Sequence, residues 1–267
     1  MKMITPKMNA DRIKKYLAEG KRFDGRKPEE FRDIKVETGV SKNAEGSSRV
    51  VMGDTEVICG VKLGLGAPYP DSPEKGNMMV TTELLPLSSP RFESGPPKFP
   101  AIELARVIDR GIREIGLIDV EKLCIEKGEK VWTVFIDIYP VNEGGNLLDA
   151  AGIAAVAALR TAKMLKYDKK EGKVLYGEWE DKNIPLTKSV PFSMTIYKIG
   201  DHFVADPTRE EEDVATTRVT VGMSNGVISS MQKGLEGSLT LKEMDEVLDL
   251  AEKVYKETWP KIDTQVK

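Results

Sequence analysis

Three arginines within one thirteen-residue stretch, Ala101-Ile-Glu-Leu-Ala-Arg-Val-Ile-Asp-Arg-Gly-Ile-Arg113, stand at i, i+4 and i+7. Wound as a helix, this spacing puts Arg106, Arg110 and Arg113 on one face. Leu104, Ala105, Ile108, Ile112 and Ile115 fall on the other side and can seal a core. Guanidinium groups a turn apart suit successive phosphates of a nucleic-acid strand. A second reading uses Glu103 and Asp109, placed three or four residues from these arginines, to neutralise them on a solvated face. The two readings differ in whether the positive charge is free to meet a ligand.

Other chemistry is poorly supplied. A single histidine, His202, leaves no His-based zinc site and no His-rich catalytic centre. No G-x-x-x-x-G-K-[ST] phosphate loop occurs, and Gly64-Leu-Gly66 runs into Ala-Pro-Tyr-Pro instead of a helix, so it is not a dinucleotide fingerprint. The acidic run Glu210-Glu-Glu-Asp213 reads as a solvated cluster on a turn and not as a magnesium site. Cys59 and Cys124 each lie in apolar stretches of strand character and read as buried free thiols. No cofactor and no metal are expected.

The chain has 267 residues, 40 % of them hydrophobic, enough for a sizeable core. Its net charge of -3 excludes a protein that coats nucleic acid with its whole surface, so any RNA contact must be local. Charged residues make up 31 % while glutamine occurs only at Gln232 and Gln265, a composition that hints at heat adaptation. No apolar run approaches a membrane span, and Met1-Lys-Met-Ile-Thr-Pro lacks the apolar segment of a signal peptide, so a cytoplasmic protein without membrane contact is expected.

The elements that must position the arginines read as an α+β protein. A first helix, capped by Asn9 or Asp11 and ended by Gly20, leads into a basic turn, Lys21 to Arg26. Strands follow at Ile34 to Gly39, Gly46 to Met52 and Glu56 to Gly64, with Gly53-Asp54 as a hairpin turn, and then at Met78 to Leu84. The segment Pro86 to Pro100 holds five prolines and should be irregular before the arginine helix, from about Ala101 to Gly116. A strand pair turning at Gly128 and an alanine-rich helix from Leu147 to Met164 complete the first half. Residues 1–30 are thus expected to form a helix and basic turn, 31–166 a first lobe, 167–184 a polar connection and 185–267 a second lobe. That second lobe has hairpins about Gly200-Asp201 and Ser224-Asn225 and a helix from Thr240 to Trp259, opened by a capping box of Thr240 and Glu243.

Several motifs together carry a resemblance. Lys21-Arg-Phe-Asp-Gly-Arg26, Gly46-Ser-Ser-Arg-Val-Val-Met-Gly-Asp-Thr-Glu-Val-Ile-Cys-Gly-Val-Lys62, the arginine helix and Asp206-Pro-Thr-Arg-Glu-Glu-Glu212 resemble the RNase PH superfamily in sequence and order. Gly145-Asn-Leu-Leu-Asp-Ala150 with Asp206-Pro-Thr208 is similar to the non-catalytic RNase PH-type subunits of archaeal exosomes, with Gly144 a departure where Asp is expected. The resemblance implies an RNase PH-like two-lobed fold with mixed or antiparallel sheets and packed helices. It also implies that active members bind phosphate through paired arginines just before the helix, where this chain has Phe99 and Pro100. They carry two aspartates six residues apart, where this chain has Glu212 and Arg218, and a guanidinium cannot serve as the general acid. The implied setting is a ring of three heterodimers with a catalytic RNase PH-type subunit, capped by RNA-binding subunits, that shortens single-stranded RNA from its 3′ end by phosphorolysis. Arg106 and Arg110 would then lie at the edge of the partner's active site. The alternatives are a self-sufficient phosphorolytic exoribonuclease built on Asp206, Glu212 and Arg91, and a plain RNA-binding module.

Overall fold

Alternating apolar residues build the first sheet. The computed structural model describes residues 7–266, with side chains from Asn9 onward; Met1 to Pro6, including the opening read for a signal peptide, lies outside the described residues. Strands β1 (Ile34–Thr38), β2 (Gly46–Met52), β3 (Thr55–Gly66), β4 (Asn77–Thr82), β5 (Cys124–Glu126) and β6 (Lys130–Asn142) pair in the order β1-β2-β3-β6-β4, with β5 on β6. Every pair is antiparallel except β4 on β6. Val50, Met52, Val57, Cys59, Val61, Val134, Ile136 and Ile138 alternate onto the buried face.

A second sheet, antiparallel throughout, runs β10-β9-β11-β12 from β9 (Phe192–Ile199), β10 (His202–Ala205), β11 (Thr217–Ser224) and β12 (Val227–Gly234). Helix α3 (Leu147–Thr161) packs on β2 and β3 on one side and β9 on the other. Its alanines explain how it fits between two sheets, for Ala150, Ala151, Ala154, Ala155, Ala157 and Ala158 are all fully buried. The approach is closest at Gly46, where an added Cβ would lie 2.2 Å from the Ala158 carbonyl oxygen. One continuous apolar cluster extends through these layers from Val50 to Val266.

The arginine helix α2 (Phe99–Ile115) begins two residues before the predicted start, because Pro100 is favourable in a first helical turn. It ends at Gly116, left-handed at φ 64°, whose N–H meets the Arg113 carbonyl. Leu104, Ala105, Ile108 and Ile112 are buried as the spacing predicts, joined by Val107 and Gly111, and Ile115 is half-buried. The Thr82 hydroxyl donates to the Ala101 carbonyl at 2.6 Å and ties the helix start to β4. Helix α5 (Leu241–Asp263) has the expected Thr240–Glu243 capping box and stacks Trp259 on Phe192. It runs past Trp259 through Pro260.

Two local readings need correction, and the polar connection gains a structure of its own. Helix α1 spans Lys7–Ala18, so Asn9 and Asp11 lie inside it and do not cap it. The polar connection is an ordered hairpin of β7 (Lys163–Asp168) and β8 (Lys173–Asn183); it shows no clean alternation because most of β8 is exposed. The acidic run Glu210 to Asp213 is no turn but part of a helix, α4 (Arg209–Val214), closed by a capping box of Thr208 and Glu211. Carboxylates in a first helical turn complement the helix dipole, which is how so acidic a segment winds. Cys59 is buried, with its thiol pushed up by burial, whereas Cys124 is half-buried. Among the described residues no helix is long and apolar enough to cross a membrane, and no cluster of His, Cys, Asp and Glu could hold a metal.

Candidate RNA-binding helix and the cleft beside it

The three arginines of α2 share an exposed face but differ in their partners. Arg113 donates from Nε and Nη2 to both carboxylate oxygens of Asp109, at 3.0 and 2.7 Å, and from Nη2 to the Met78 carbonyl at 3.2 Å. That carboxylate raises its pKa further. Glu103, the other residue expected to neutralise the face, turns instead to Arg218 on β11, 2.6 Å away. No carboxylate among the described residues pairs with Arg106 or Arg110, and both stay exposed. The helix therefore offers two free guanidinium groups a turn apart, and the third is engaged.

Beside the start of α2 lies a cleft of about 130 Å³ lined by Glu103, Glu143, Tyr197, Arg209, Glu212 and Arg218, with Leu84, Phe92, Pro100 and Leu148 among its apolar walls. Its arginines are all taken. Arg209 donates to Glu143 at 2.6 Å and to Glu212 and Asp213 at 2.8 Å each. Although burial opposes its charge, Glu212 and Glu143 hold its pKa above the ordinary value. Arg91, nearby, grips both oxygens of Asp213 at 2.6 and 2.7 Å. Glu212 accepts from the Asn146 N–H and the Tyr197 hydroxyl, each at 2.8 Å, and burial pushes its carboxyl up despite Arg209. A phosphate entering here would meet three carboxylates and only two guanidinium groups. Where a phosphate-binding pair would precede the helix, Pro100 has no N–H and Phe99 points 74 % exposed into solvent.

Asp206, Glu212 and Arg91 do not assemble into a phosphorolytic centre. Asp206 is fully buried, receiving Arg32 Nη2 and Nε at 2.6 and 2.9 Å, Arg26 Nη1 at 2.8 Å and Asn146 Nδ2 at 3.0 Å. Burial pushes its carboxyl up, but Arg32 and Arg26 outweigh that and hold it below the ordinary range. Arg22, also buried, donates to Glu211 at 2.9 Å and to the Ala205 and Asp206 carbonyls at 3.0 and 2.7 Å. Gly145, at φ 93°, lies so near this turn that a Cβ would sit 2.6 Å from the Pro207 carbonyl oxygen. Three motifs far apart in sequence thus close one buried polar clasp. Arg26 and Arg209 lie in motifs visible in the sequence, but their partners do not, and Glu143 and Arg32, whose partners lie far along the chain, gave no signal at all.

Comparison with known proteins agrees with this architecture. Domain 1 of the 3′ exoribonuclease family, RNase PH, matches residues 30–164, and domain 2 of that family matches residues 189–254. The chain belongs to the RNase PH family. Relatives include the exosome complex component Rrp42 of Methanocella arvoryzae, 46 % identical over 249 residues that cover 93 % of each chain. The protein of the same name from Thermococcus onnurineus is 48 % identical over 245 residues, covering 90 % of this chain and 89 % of its own. Among solved structures, a chain of the Archaeoglobus fulgidus exosome with RNA bound to the active site superposes with a TM-score of 0.85 at 40 % identity, over 95 % of this chain and 97 % of that one. The α+β fold expected from the sequence is thus that of RNase PH-type exosome chains.

Proposed function

We propose that this RNase PH-family chain is a non-catalytic component of an archaeal-type exosome, where it positions RNA for a neighbour. The carrying observation is the contrast in ion pairing: Arg106 and Arg110 are exposed and free of carboxylates, while Arg91, Arg209 and Arg218 around the cleft are all paired. Relatives named as exosome components over nine-tenths of their length support the assembly. In the ring, three copies alternate with a catalytic RNase PH-type subunit, RNA-binding subunits cap the assembly, and the particle works in the cytoplasm. Phosphate attacks the 3′-terminal linkage of single-stranded RNA at the partner's site. Arg106 and Arg110 contribute charge-assisted contacts to the backbone, which hold every sequence alike. Arg113, held by Asp109, contributes little. Reconstitution tests this reading: the chain alone is expected to leave RNA intact in phosphate, and addition of a catalytic RNase PH-type subunit is expected to yield a stoichiometric, active particle. Nucleoside diphosphate release by a partner-free preparation would overturn it.

A further inference from the structure

The chain has twelve arginines, and nine of them sit in ion pairs; besides Arg106 and Arg110, only Arg12 on α1 has no carboxylate partner among the described residues. Arg12 is nevertheless held in place. Its guanidinium lies over the rings of Tyr16 and Phe23, 5.7 and 5.6 Å from their centroids, and those rings meet edge to face at 5.0 Å. Such stacking orients an arginine without neutralising it. Phe23 stays 48 % exposed, an aromatic surface on a turn that core packing does not account for. Lys15, a turn further along the helix, and Lys21, whose N–H meets the Tyr16 carbonyl, are exposed and in no ion pair among the described residues. Residues 9–27 carry seven basic against three acidic side chains in a chain of net charge -3.

We infer that Arg12, Lys15, Tyr16, Lys21 and Phe23 form a second contact for single-stranded RNA, separate from the one on α2. A guanidinium already stacked, an open aromatic ring and flanking lysines together offer phosphate contacts and a platform for a base. An acidic protein segment would use the lysines but has no need of an exposed phenyl ring. The two contacts do not form one continuous surface. Helix α1 docks through Ile13 and Leu17 on Tyr197, Ile199 and Val204, at the β10 edge of the second sheet, while α2 meets β12 at the opposite edge. Three strand spacings, about 14 Å, lie between those edges. RNA engaged at both sites would be gripped at two separate points along its length.

The inference shares with the proposed function the premise that this chain meets RNA. Single-stranded RNA containing 4-thiouridine is crosslinked to the particle assembled with a catalytic RNase PH-type subunit, and the crosslinked peptides are mapped. A crosslink in the peptide holding Phe23 is expected, persisting in the Arg106→Ala/Arg110→Ala variant and lost in Phe23→Leu, which keeps the apolar bulk. Arg12→Ala should flatten the salt dependence by about 0.7 in log-log slope, and Arg12→Lys should keep the slope. Loss of the stacked base should weaken binding of an oligouridine that reaches α1 roughly five- to a hundred-fold. Crosslinks on α2 alone overturn this inference and leave the proposed function standing. Crosslinks at the Arg12–Phe23 patch alone overturn the α2 contact instead, and RNA binding with crosslinks at neither overturns both. Displacement of RNA from α1 by polyglutamate as readily as by oligouridine would make the patch a dock for acidic protein and overturn the inference.

Discussion

Because Arg113 is silenced by a single carboxylate, the electrostatic response of α2 can be raised as well as lowered. Asp109 takes two hydrogen bonds from Arg113, and Arg106 and Arg110 have no such partner. Each phosphate contact on a single strand adds about 0.7 to the slope of log affinity against log salt. Arg106→Ala and Arg110→Ala should each flatten that slope by about 0.7, and the double variant by about 1.4. Between about 50 and about 200 mM salt the advantage of the parent over the double variant should therefore shrink roughly sevenfold. Arg113→Ala should leave the slope unchanged. Asp109→Asn should steepen it by about 0.7, since Arg113, still placed by the Met78 carbonyl, becomes free to meet a phosphate. Fluorescence anisotropy of a labelled single-stranded oligomer on the assembled particle, titrated across salt, reads the slope of the parent and of each of the five variants. An Arg113→Ala slope as flat as that of Arg106→Ala, or an Asp109→Asn slope equal to the parent's, would refute the reasoning that pairing decides which arginines bind.

The buried clasp yields a stability prediction: Asp206→Asn leaves Arg26 and Arg32 without their shared charge and should cost about 3–5 kcal/mol in urea unfolding, with a loss below about 1 kcal/mol counting against the clasp. Because Arg32 and Arg26 hold the Asp206 carboxyl below its ordinary range, its contribution is present above the unfolded pKa and lost as pH falls through the lower folded value, so the variant should show a flatter acid limb. Asp149 behaves in the opposite sense. Burial pushes its carboxyl up to about 7, against bonds from Thr195 and Asn146, so its contribution to stability should decline as pH rises from the unfolded value near 3.8 towards 7. Asp149→Asn, whose amide can donate to the Thr195 hydroxyl in reverse, should remove that decline; an unchanged profile would show that another group carries it. Gly46→Ala forces α3 away from β2 and should cost roughly 1–3 kcal/mol or more, visible as a lowered midpoint, whereas an unchanged midpoint would mean the helix can shift freely.

Elements with a regular apolar period were legible from sequence, and those held by distant partners were not. The spacing of Leu104, Ala105, Ile108 and Ile112 fixed the buried face of α2 and therefore its exposed one. Asp109 was readable as a partner of Arg113 because the pair is four residues apart on one helix. Glu103 was not, since its partner Arg218 comes from a strand in the other sheet. Helix α4 has no apolar stripe; its evidence is a capping box and the buried Arg22–Glu211 pair, which joins segments 189 residues apart. The β7–β8 hairpin escaped for a related reason. Its register slips at Leu165, and much of β8 is exposed, so no alternation marks it. Arg12 carries no sequence signal of its own; its contacts with Tyr16 and Phe23, and the ion pairing of nine other arginines, set it apart.

Ion pairing also explains how the cleft and the helix depend on each other. Arg218 stands where the resemblance places a catalytic acid, and it grips Glu103 on α2. The salt bridge has two effects. It removes Glu103 from the neighbourhood of Arg106, leaving that guanidinium free, and it fastens the first turns of α2 to β11 of the second sheet. The far end of the helix is held differently, by Arg113 on the Met78 carbonyl and by Gly116 closing the last turn. Arg106 and Arg110 thus lie between two anchored ends, on a helix whose apolar face is already buried. A cleft with more carboxylates than guanidinium groups has little attraction for phosphate, and those same ion pairs hold rigid the surface next to it. In a chain of net charge -3, such internal neutralisation is what allows a few unpaired arginines to define where a polyanion can bind.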